Sequence, residues 1–320
     1  TRYNSRLIGK MNVLASAAAA AALPSRCARA HRALSAAAAS ARVVRFACAE
    51  DGRPAWGLVR GGDLQLRNGV GEVMEIVSEE AVLRGEAKLT GDTRTVGELL
   101  APLPASSPPP AVVAAGLNYR GHAKETGRPL PRFPITIWVN PASVPPRPGD
   151  DIRVPSVAQH TLEIDYEVEL AIVVGTAADG GPCRNVRAAE AMNFVAGFTV
   201  ANDVSARRWQ GKKGGGQWCR AKSFDTFTPV GPALWLTPDS NRDSNRDDDG
   251  SSFPLWSKVN GKTMQSSDTR DMIFSPAELV SFASQGTTLL PGTLLLTGTP
   301  EGVGYTQSPP VWLHHGDIVE

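Results

Sequence analysis

Two glutamates that could carry chemistry stand two residues apart, Glu167 and Glu169, in the segment EIDYEVELAIVV. Side chains alternate between the faces of a β-strand, so both carboxylates would project from one face, together with Glu163 and Asp165. One alternative is the solvated polar face of a half-exposed strand. The segment is otherwise nearly all apolar, however, and a buried carboxylate needs a partner or a metal ion. The pair is therefore a candidate metal site.

A third carboxylate, Asp203, lies at the end of the apolar segment GFTVAND and could complete the site. Three carboxylates without cysteine or histidine favour a hard cation, Mg²⁺ or Mn²⁺, with Ca²⁺ as an alternative. Asp203 could instead be a helix N-cap or a turn residue, and its spacing alone does not decide between these interpretations.

His122 and Glu125 stand three residues apart in NYRGHAKETG, a spacing that places them on one side of a helical turn. A carboxylate that holds an imidazole raises its basicity and fixes its tautomer, as a general base requires. The alternative is a surface histidine beside an unrelated acid. Lys222, in CRAKSFDTF, is a candidate acid or charge-neutralising group, or a lysine whose ammonium reaches the surface.

A glycine-rich loop, TGTPEGVG (297–304), follows the apolar run TLLL. It lacks the lysine and the spacing of a phosphate-binding loop. We interpret it as a loop whose backbone N–H groups line a site.

These candidates must be positioned by elements that are mostly strands. The segments 163–175 and 195–207 are rich in valine and other strand-forming residues. The segments 184–194 and 275–285 predict helices, the second with a capping box of Ser275 and Glu278. A short helix is also predicted over Val96–Leu100. Strands outnumber helices and do not alternate with them, which predicts an α+β fold that is mostly β.

Composition along the chain predicts its organisation. Residues 43–101 read as a small N-terminal β-rich domain, 102–110 as a proline-rich linker, and 111–320 as the catalytic domain. The polar stretch 238–252 should be a mobile surface insertion. The chain stops at HHGDIVE, in what reads as the opening of a hairpin, so we expect a truncated C-terminus.

Residues 1–42 are dominated by alanine, serine and arginine, and no acidic residue occurs before Glu50. This pattern is typical of an organelle transit peptide. The run Ala17–Ala22 could instead be a weak secretory core, and a low-complexity tail without an address is a further alternative.

The overall composition excludes several classes of function. The formal net charge of +1 gives no indication of a nucleic-acid or membrane-surface partner. The four cysteines form no C-x-x-C pair, which argues against a zinc knuckle or a disulfide framework and favours a reducing compartment. No apolar run approaches the roughly 20 residues that span a bilayer.

Six sequence blocks occur in an order that resembles the fumarylacetoacetate hydrolase family: LNYRGHAKE, DYEVELAIVVG, GFTVANDVSARRWQ, AKSFDTFTPVGPAL, KVNGKTMQ and LLLTGTPEGVG. The resemblance runs from about Ala111 to the last residue. It implies a catalytic domain of rolled and stacked β-sheets, a homodimer and one divalent ion in each subunit. The subgroup that it resembles most is mostly mitochondrial, in agreement with the presequence, with the cytoplasm as the alternative.

The resemblance also implies the roles of individual residues. Glu167, Glu169 and Asp203 match the metal ligands. His122 and Glu125 match the family's catalytic dyad, and Lys222 matches its lysine. The positions that match substrate-binding residues are Arg207, Gln210 and Thr299.

Three departures from the family pattern bear on the substrate. Leu117 stands where acylpyruvase-type relatives have an arginine, Asn140 lies near the position of a common lysine, and Arg208 replaces an aspartate. None of them touches the metal set, but all weaken the transfer of a particular substrate.

What the resemblance implies about activity is a divalent-metal-dependent enzyme that acts on small 2-oxo acids through a metal-bound enolate. Oxaloacetate keto–enol tautomerisation ranks first. A C–C bond hydrolase of acylpyruvate or fumarylacetoacetate type and an oxaloacetate decarboxylase are the alternatives. An inactive metal-binding homologue would be expected to have lost His122, Glu125 or Lys222, and all three are present.

Overall fold

A computed structural model describes residues 8–9, 41–59, 72–103, 108–237 and 252–320. Most of the predicted transit peptide (1–42), most of the insertion (238–252) and the centre of the proline-rich linker lie outside the described residues. Predictions for those segments stay predictions.

The strands are listed here in chain order: β1 Ile8–Gly9, β2 Arg42–Cys48, β3 Pro54–Val59, β4 Val73–Val77, β5 Leu89–Leu100, β6 Val112–Gly116, β7 Ile135–Val139, β8 Ile152–Arg153, β9 Ile164–Asp165, β10 Val168–Val174, β11 Val195–Asn202, β12 Ser205–Ala206, β13 Ala233–Leu236, β14 Pro254–Val259, β15 Lys262–Asp268 and β16 Leu294–Leu296. The α-helices are α1 Glu79–Leu83, α2 Arg120–Glu125, α3 Ser156–Gln159, α4 Ala188–Ala191, α5 Arg207–Gln210, α6 Trp218–Lys222 and α7 Pro276–Ser284. Short 3₁₀ helices occupy Pro141–Ser143, Met192–Phe194, Lys212–Gly214, Thr269–Asp271 and Gly304–Thr306.

A ten-stranded sheet organises the described part of the chain, in the order β3-β4-β5-β2-β13-β11-β10-β16-β6-β7. Strands β16 and β6 are parallel, and the other neighbours are antiparallel. Strand β2 also pairs with β3, so the four strands β2 to β5 close on one another. The predicted α+β, mostly β fold is confirmed.

The N-terminal strands join the rest of the sheet where β2 pairs with β13. Three residue pairs form this junction, Ala233 with Val44, Leu234 with Val43, and Trp235 with Arg42. The division into a small N-terminal domain and a catalytic domain stays a prediction, with this junction as the connection between the two.

Strand β10 is the centre of the core, and all seven of its residues are buried. Its side chains alternate between two hydrophobic clusters, with Ala171 and Val173 in one and Leu170, Ile172 and Val174 in the other. This double burial explains why the apolar run is nearly continuous. Glu169 lies within this strand, so its carboxylate is enclosed by the core and not by solvent.

Two local predictions were wrong or too long. Val96–Leu100 is the end of β5 and not a helix, because its backbone pairs with β2 and the side chain of Val96 is fully buried against that strand. Tertiary pairing here overrides local helix preference. The predicted helix 184–194 is reduced to α4 and the 3₁₀ turn Met192–Phe194.

Helix α7 confirms the capping prediction. Ser275 accepts a hydrogen bond from the backbone of Glu278, whose side chain in turn accepts from the backbone of Ser275. Among the described residues, no helix combines the length and apolarity that a bilayer crossing requires.

Candidate metal-binding and catalytic site

Three carboxylates meet at one end of the β10–β11 pair. Val168 pairs with Asn202 and Glu169 with Ala201, so Glu167 and Asp203 lie side by side just beyond the paired residues. The backbone N–H of Asp203 donates to the carbonyl of Glu167 over 2.8 Å. Each carboxylate offers an oxygen, and these three oxygens lie within 4.8 Å of one another. The side chains are 1–5% exposed.

Some carboxylate oxygens of this cluster accept few or no hydrogen bonds, which leaves them available to bind a cation. Oδ1 of Asp203 is buried and has no hydrogen-bond partner among the described residues. Oε2 of Glu169 accepts only a backbone bond, from Gly298 over 2.6 Å. An all-oxygen donor set of this kind suits a hard divalent ion.

Lys222, at the end of α6, is a buried counter-ion of the cluster. Its ammonium donates to Oε2 of Glu167 over 2.7 Å, to Oδ2 of Asp203, and to Oγ of Ser205 over 3.0 Å. Burial alone would lower the pKa of Lys222, but the charges of Asp203 and Glu167 outweigh it and raise that pKa. Lys222 is therefore a fixed positive charge.

Arg207, the first residue of α5, is the second buried cation. Its guanidinium contacts Oδ2 of Asp165 over 2.8 Å and Oε1 of Glu167 over 2.6 Å. It also donates to Oε1 of Gln210 over 2.7 Å and lies 4.4 Å from the centre of the Tyr305 ring. The residue matched to substrate binding thus holds the acidic cluster in place.

Asp165 is a site residue whose role the sequence did not reveal. It is fully buried and accepts backbone bonds from Gly304 over 2.7 Å and from Tyr305 over 3.1 Å, besides its pair with Arg207. Its alternation with Glu167 and Glu169 was the available signal. Asp165 joins strand β9 to the loop after β16, which lines the same site.

Burial and neighbouring charges give the three carboxylates different pKa values. Burial raises the pKa of Glu167, but the charges of Lys222 and Arg207 reverse this and hold it at about 2. Burial and the charge of Asp203 raise the pKa of Glu169 well above its ordinary value. For Asp203, burial outweighs the opposing charge of Lys222 and raises the pKa to about 6.

The charges of the site do not balance without a further cation. Four carboxylates, those of Asp165, Glu167, Glu169 and Asp203, face the two cations Lys222 and Arg207. Burial first, and this excess of two negative charges second, raise the pKa values of Glu169 and Asp203. A divalent ion would neutralise it.

His122 and Glu125 lie on α2, opposite the acidic cluster. Nδ1 of His122 is 2.6 Å from Oε1 of Glu125. Oε2 of Glu125 accepts from the N–H of Gly302 and from Oγ1 of Thr306, each over 3.0 Å. With Nδ1 engaged by a carboxylate, the basic lone pair of the neutral ring is on Nε2.

One cavity of about 190 Å³ connects these groups. Seven of the nine predicted site residues line it, namely His122, Glu167, Glu169, Arg207, Gln210, Lys222 and Thr299. Glu125 and Asp203 stand directly behind, hydrogen-bonded to His122 and Lys222. The structure therefore brings every residue that sequence comparison had selected to one place.

Gln265, on β15, is a second residue that sequence analysis missed. Its Oε1 accepts from the N–H of Val168 over 3.0 Å, and its Nε2 donates to Oγ1 of Thr299 over 2.8 Å. Thr299 donates in turn to the carbonyl of Val168 over 2.9 Å. Gln265 thus ties strand β10, which carries Glu169, to the glycine-rich loop. As predicted, backbone N–H groups of that loop line the site, where Gly298 donates to Glu169 and Gly302 to Glu125.

Of the residues that depart from the family pattern, Leu117 lines the cavity and has a positive φ of 52°. Such a backbone conformation is strained for leucine and is held by its surroundings. Asn140 lies outside the cavity lining and caps the 3₁₀ helix Pro141–Ser143 through its side chain.

Comparison with known sequences identifies relatives that match about three quarters of the chain. The family model for the C-terminal region of fumarylacetoacetate (FAA) hydrolases matches residues 111–320. A Bos taurus protein named oxaloacetate tautomerase FAHD2A, mitochondrial, is 43% identical over 249 residues, which are 75% of this chain and 74% of that protein. The Homo sapiens protein of the same name is 41% identical over 245 residues, 74% of this chain and 73% of that protein.

Solved structures show the same relationship. A 5-carboxymethyl-2-hydroxymuconate delta-isomerase from Mycobacterium smegmatis superposes with a TM-score of 0.60 at 34% identity, over 84% of this chain and 90% of that one. A fumarylacetoacetate hydrolase from Exiguobacterium antarcticum gives a TM-score of 0.62 at 27% identity, over 87% of this chain and 94% of that chain.

Proposed function

This chain belongs to the fumarylacetoacetate hydrolase family of enzymes, and we propose that it catalyses the keto–enol tautomerisation of oxaloacetate with the help of a divalent metal ion. The observation that carries the proposal is the facing of His122 and the three-carboxylate cluster across one small cavity. Relatives named oxaloacetate tautomerase support the choice of substrate.

Glu167, Glu169 and Asp203 would hold the ion, which we propose to be Mg²⁺, with Mn²⁺ or Ca²⁺ as alternatives. When bound, such an ion supplies Lewis-acid stabilisation of negative charge on a substrate oxygen. Gly298 orients Glu169 through its backbone N–H, and Lys222 and Arg207 orient Glu167 from two sides. These contacts fix the direction of the carboxylates before any ligand arrives.

His122 is the proposed base. In the keto-to-enol direction, Nε2 takes a proton from carbon 3, the C–H electron pair forms the C2–C3 double bond, and the carbonyl pair moves to the oxygen. The imidazolium of His122 then gives this proton to the oxygen and returns to the neutral ring, so the net change is a proton moved from carbon to oxygen. Glu125 stabilises the imidazolium that forms in between. Thr306 and Gly302 hold Glu125 in turn.

The positive charge of Lys222 lies beside the acidic cluster and lines the cavity. It would offset part of the negative charge that develops on the substrate. Because its three donor bonds go to Glu167, Asp203 and Ser205, we propose an electrostatic role and not proton transfer.

We further propose that the protein acts in mitochondria, after removal of residues 1–42, and that it forms a homodimer. The names of the relatives, which include the word mitochondrial, support the location. Mass spectrometry of the native protein should find an N-terminus near Val43, and an unprocessed N-terminus would contradict the transit peptide.

Enol-oxaloacetate absorbs in the ultraviolet, so its decay can be followed directly with the full-length protein. We expect EDTA treatment to abolish the acceleration and Mg²⁺ to restore it. Acylpyruvates serve as the competing substrate class, and pyruvate release reports decarboxylation. Cleavage of acylpyruvate, or pyruvate release, without faster enol decay would replace the tautomerase by a hydrolase or decarboxylase.

A further inference from the structure

The two cations that line the inner part of the cavity are both occupied by carboxylates of the protein. Lys222 is bound to Glu167 and Asp203, and Arg207 is bound to Asp165 and Glu167. Both are already engaged in these ion pairs, so neither is available for a direct ion pair with a second, distant negative group on a ligand. A ligand with a second negative group, beyond the one that faces the three-carboxylate cluster, therefore needs another cation of the cavity to neutralise that group.

Arg128 is the cavity-lining cation that forms no ion pair with any residue in the described part of the chain. It follows α2 by three residues, just after Gly127, whose positive φ of 64° turns the chain. The backbone N–H of Arg128 donates to the carbonyl of Ala123 over 2.9 Å. Its backbone is therefore anchored to the helix that carries His122.

The guanidinium of Arg128 is positioned by an aromatic ring. It lies 5.6 Å from the centre of the ring of Trp218, which also lines the cavity. A guanidinium stacked on an aromatic face keeps its N–H groups free at its edge, where a carboxylate can bind with two hydrogen bonds. Trp218 is itself confined, since a Cβ at Gly116 would lie 3.1 Å from its ring.

The cavity lining also includes the apolar side chains of Ala115, Leu117, Ile137 and Trp218. A ligand carboxylate placed against these side chains without a partner would lose its hydration with nothing to replace it. Arg128 can replace it, because its side chain lines the cavity and is exposed, whereas the three carboxylates of the cluster are buried.

We propose that Arg128 binds the distal carboxylate of a 2-oxo dicarboxylic acid and thereby selects dicarboxylates over 2-oxo acids with an uncharged end. This inference rests on the proposed function, since it assumes that the 2-oxo acid end faces Glu167, Glu169, Asp203 and His122. It deepens that function by naming the residue that determines the substrate class.

The test compares two ligands that differ at the distal carboxylate, oxaloacetate and 2-oxobutanoate, by calorimetry with the full-length protein in Mg²⁺. We expect the wild type to bind oxaloacetate more tightly. Arg128→Gln should weaken oxaloacetate by about 10- to 100-fold, the usual worth of hydrogen bonds to a charged group, and change 2-oxobutanoate less than about twofold. Arg128→Lys keeps the charge without the two-pronged geometry and should recover part of the loss.

Arg132→Gln is the matched control, because Arg132 also lies over an aromatic ring, that of Phe133 at 5.4 Å, and does not line the cavity. It should leave both affinities unchanged. Equal weakening of both ligands by Arg128→Gln, or no preference in the wild type, would overturn the inference.

The outcome also separates this inference from the proposed function. If the wild type prefers oxaloacetate and loses that preference in Arg128→Gln, yet never accelerates enol decay, Arg128 keeps its role and the tautomerase proposal fails. If enol decay is accelerated and the variant retains the preference, the tautomerase proposal stands and the role of Arg128 fails.

Discussion

The substitution Glu169→Gln should make the metal-free protein more stable while it removes metal binding. The ligand oxygens of Glu169 and Asp203 lie within 4.8 Å of each other. Two negative charges at that separation repel by about 3 kcal/mol at an effective dielectric constant of about 20. The alternative is that Glu169 binds a proton and loses its charge. For a carboxyl group with an ordinary pKa of 4.5, protonation at pH 7 costs a similar amount, about 3 kcal/mol.

Glutamine has no charge to repel Asp203 and needs no proton to become neutral, so it avoids both of these costs while it keeps the shape of the side chain. Its amide oxygen can still accept from the N–H of Gly298, and its NH₂ can donate to Oδ1 of Asp203, which lacks a partner among the described residues. We expect the metal-free variant to gain about 1–3 kcal/mol in free energy of unfolding, or roughly 3–10 °C in melting temperature.

Thermal unfolding in EDTA and in Mg²⁺ measures both effects. At a free Mg²⁺ concentration 100 times the dissociation constant, the wild type should gain about 2.7 kcal/mol and the variant nothing. Glu163→Gln is the control, since Glu163 precedes the same strand pair but lies outside the cluster. Lower stability of Glu169→Gln in EDTA would refute the repulsion, and an intact Mg²⁺ increment would remove Glu169 from the ligand set.

Three other predictions concern the base, the pH dependence and the support of the site. His122→Asn should abolish turnover yet leave Mg²⁺ and oxalate binding intact by calorimetry, whereas Glu125→Gln should lower kcat less; near wild-type turnover in His122→Asn would reduce the dyad to a structural pair. Because the pKa of Asp203 is raised from 3.8 to about 6, protons compete with the metal, and Mg²⁺ affinity should fall about fivefold between pH 6, where about half of this group is ionised, and pH 5, where about a tenth is; a flat profile would contradict this. By linkage, that same group makes metal-free stability fall as pH rises from 3.8 to about 6, because the folded state binds the extra proton. Gln265→Leu leaves the buried N–H of Val168 without its acceptor and removes the donors to Thr299 and to the carbonyl of Pro300, and it should cost about 2–4 kcal/mol in urea unfolding, with an unchanged midpoint as the contrary result.

Much of the core could be predicted because its pattern is local. The valine-rich segment 163–175 predicted the strand that became β10, and the alternation of its side chains placed Glu167 and Glu169 on one face. Val96–Leu100 shows the limit of this reasoning. A five-residue segment is too short to reveal its period, and pairing with β2 decided its conformation.

The site itself was less accessible from the residues alone, because its contacts join distant parts of the chain. Glu125 meets Gly302 across 177 positions, and Asp165 meets Gly304 across 139. No spacing rule predicts such pairs, and only resemblance to a family brought the candidates together. Arg128 had no motif at all, and its place in the cavity follows from the turn at Gly127 and the ring of Trp218.

The junction between β2 and β13 has a consequence for how the sheet is protected from other chains. Strand β13, with the sequence ALWL, bonds to β11 on one side and to β2 on the other. A protein that began at residue 111 would leave the second side open. An apolar open edge is a template for the strand of another molecule, so such a fragment should aggregate. The N-terminal strands therefore serve as a shield against intermolecular sheet growth, whatever else they do.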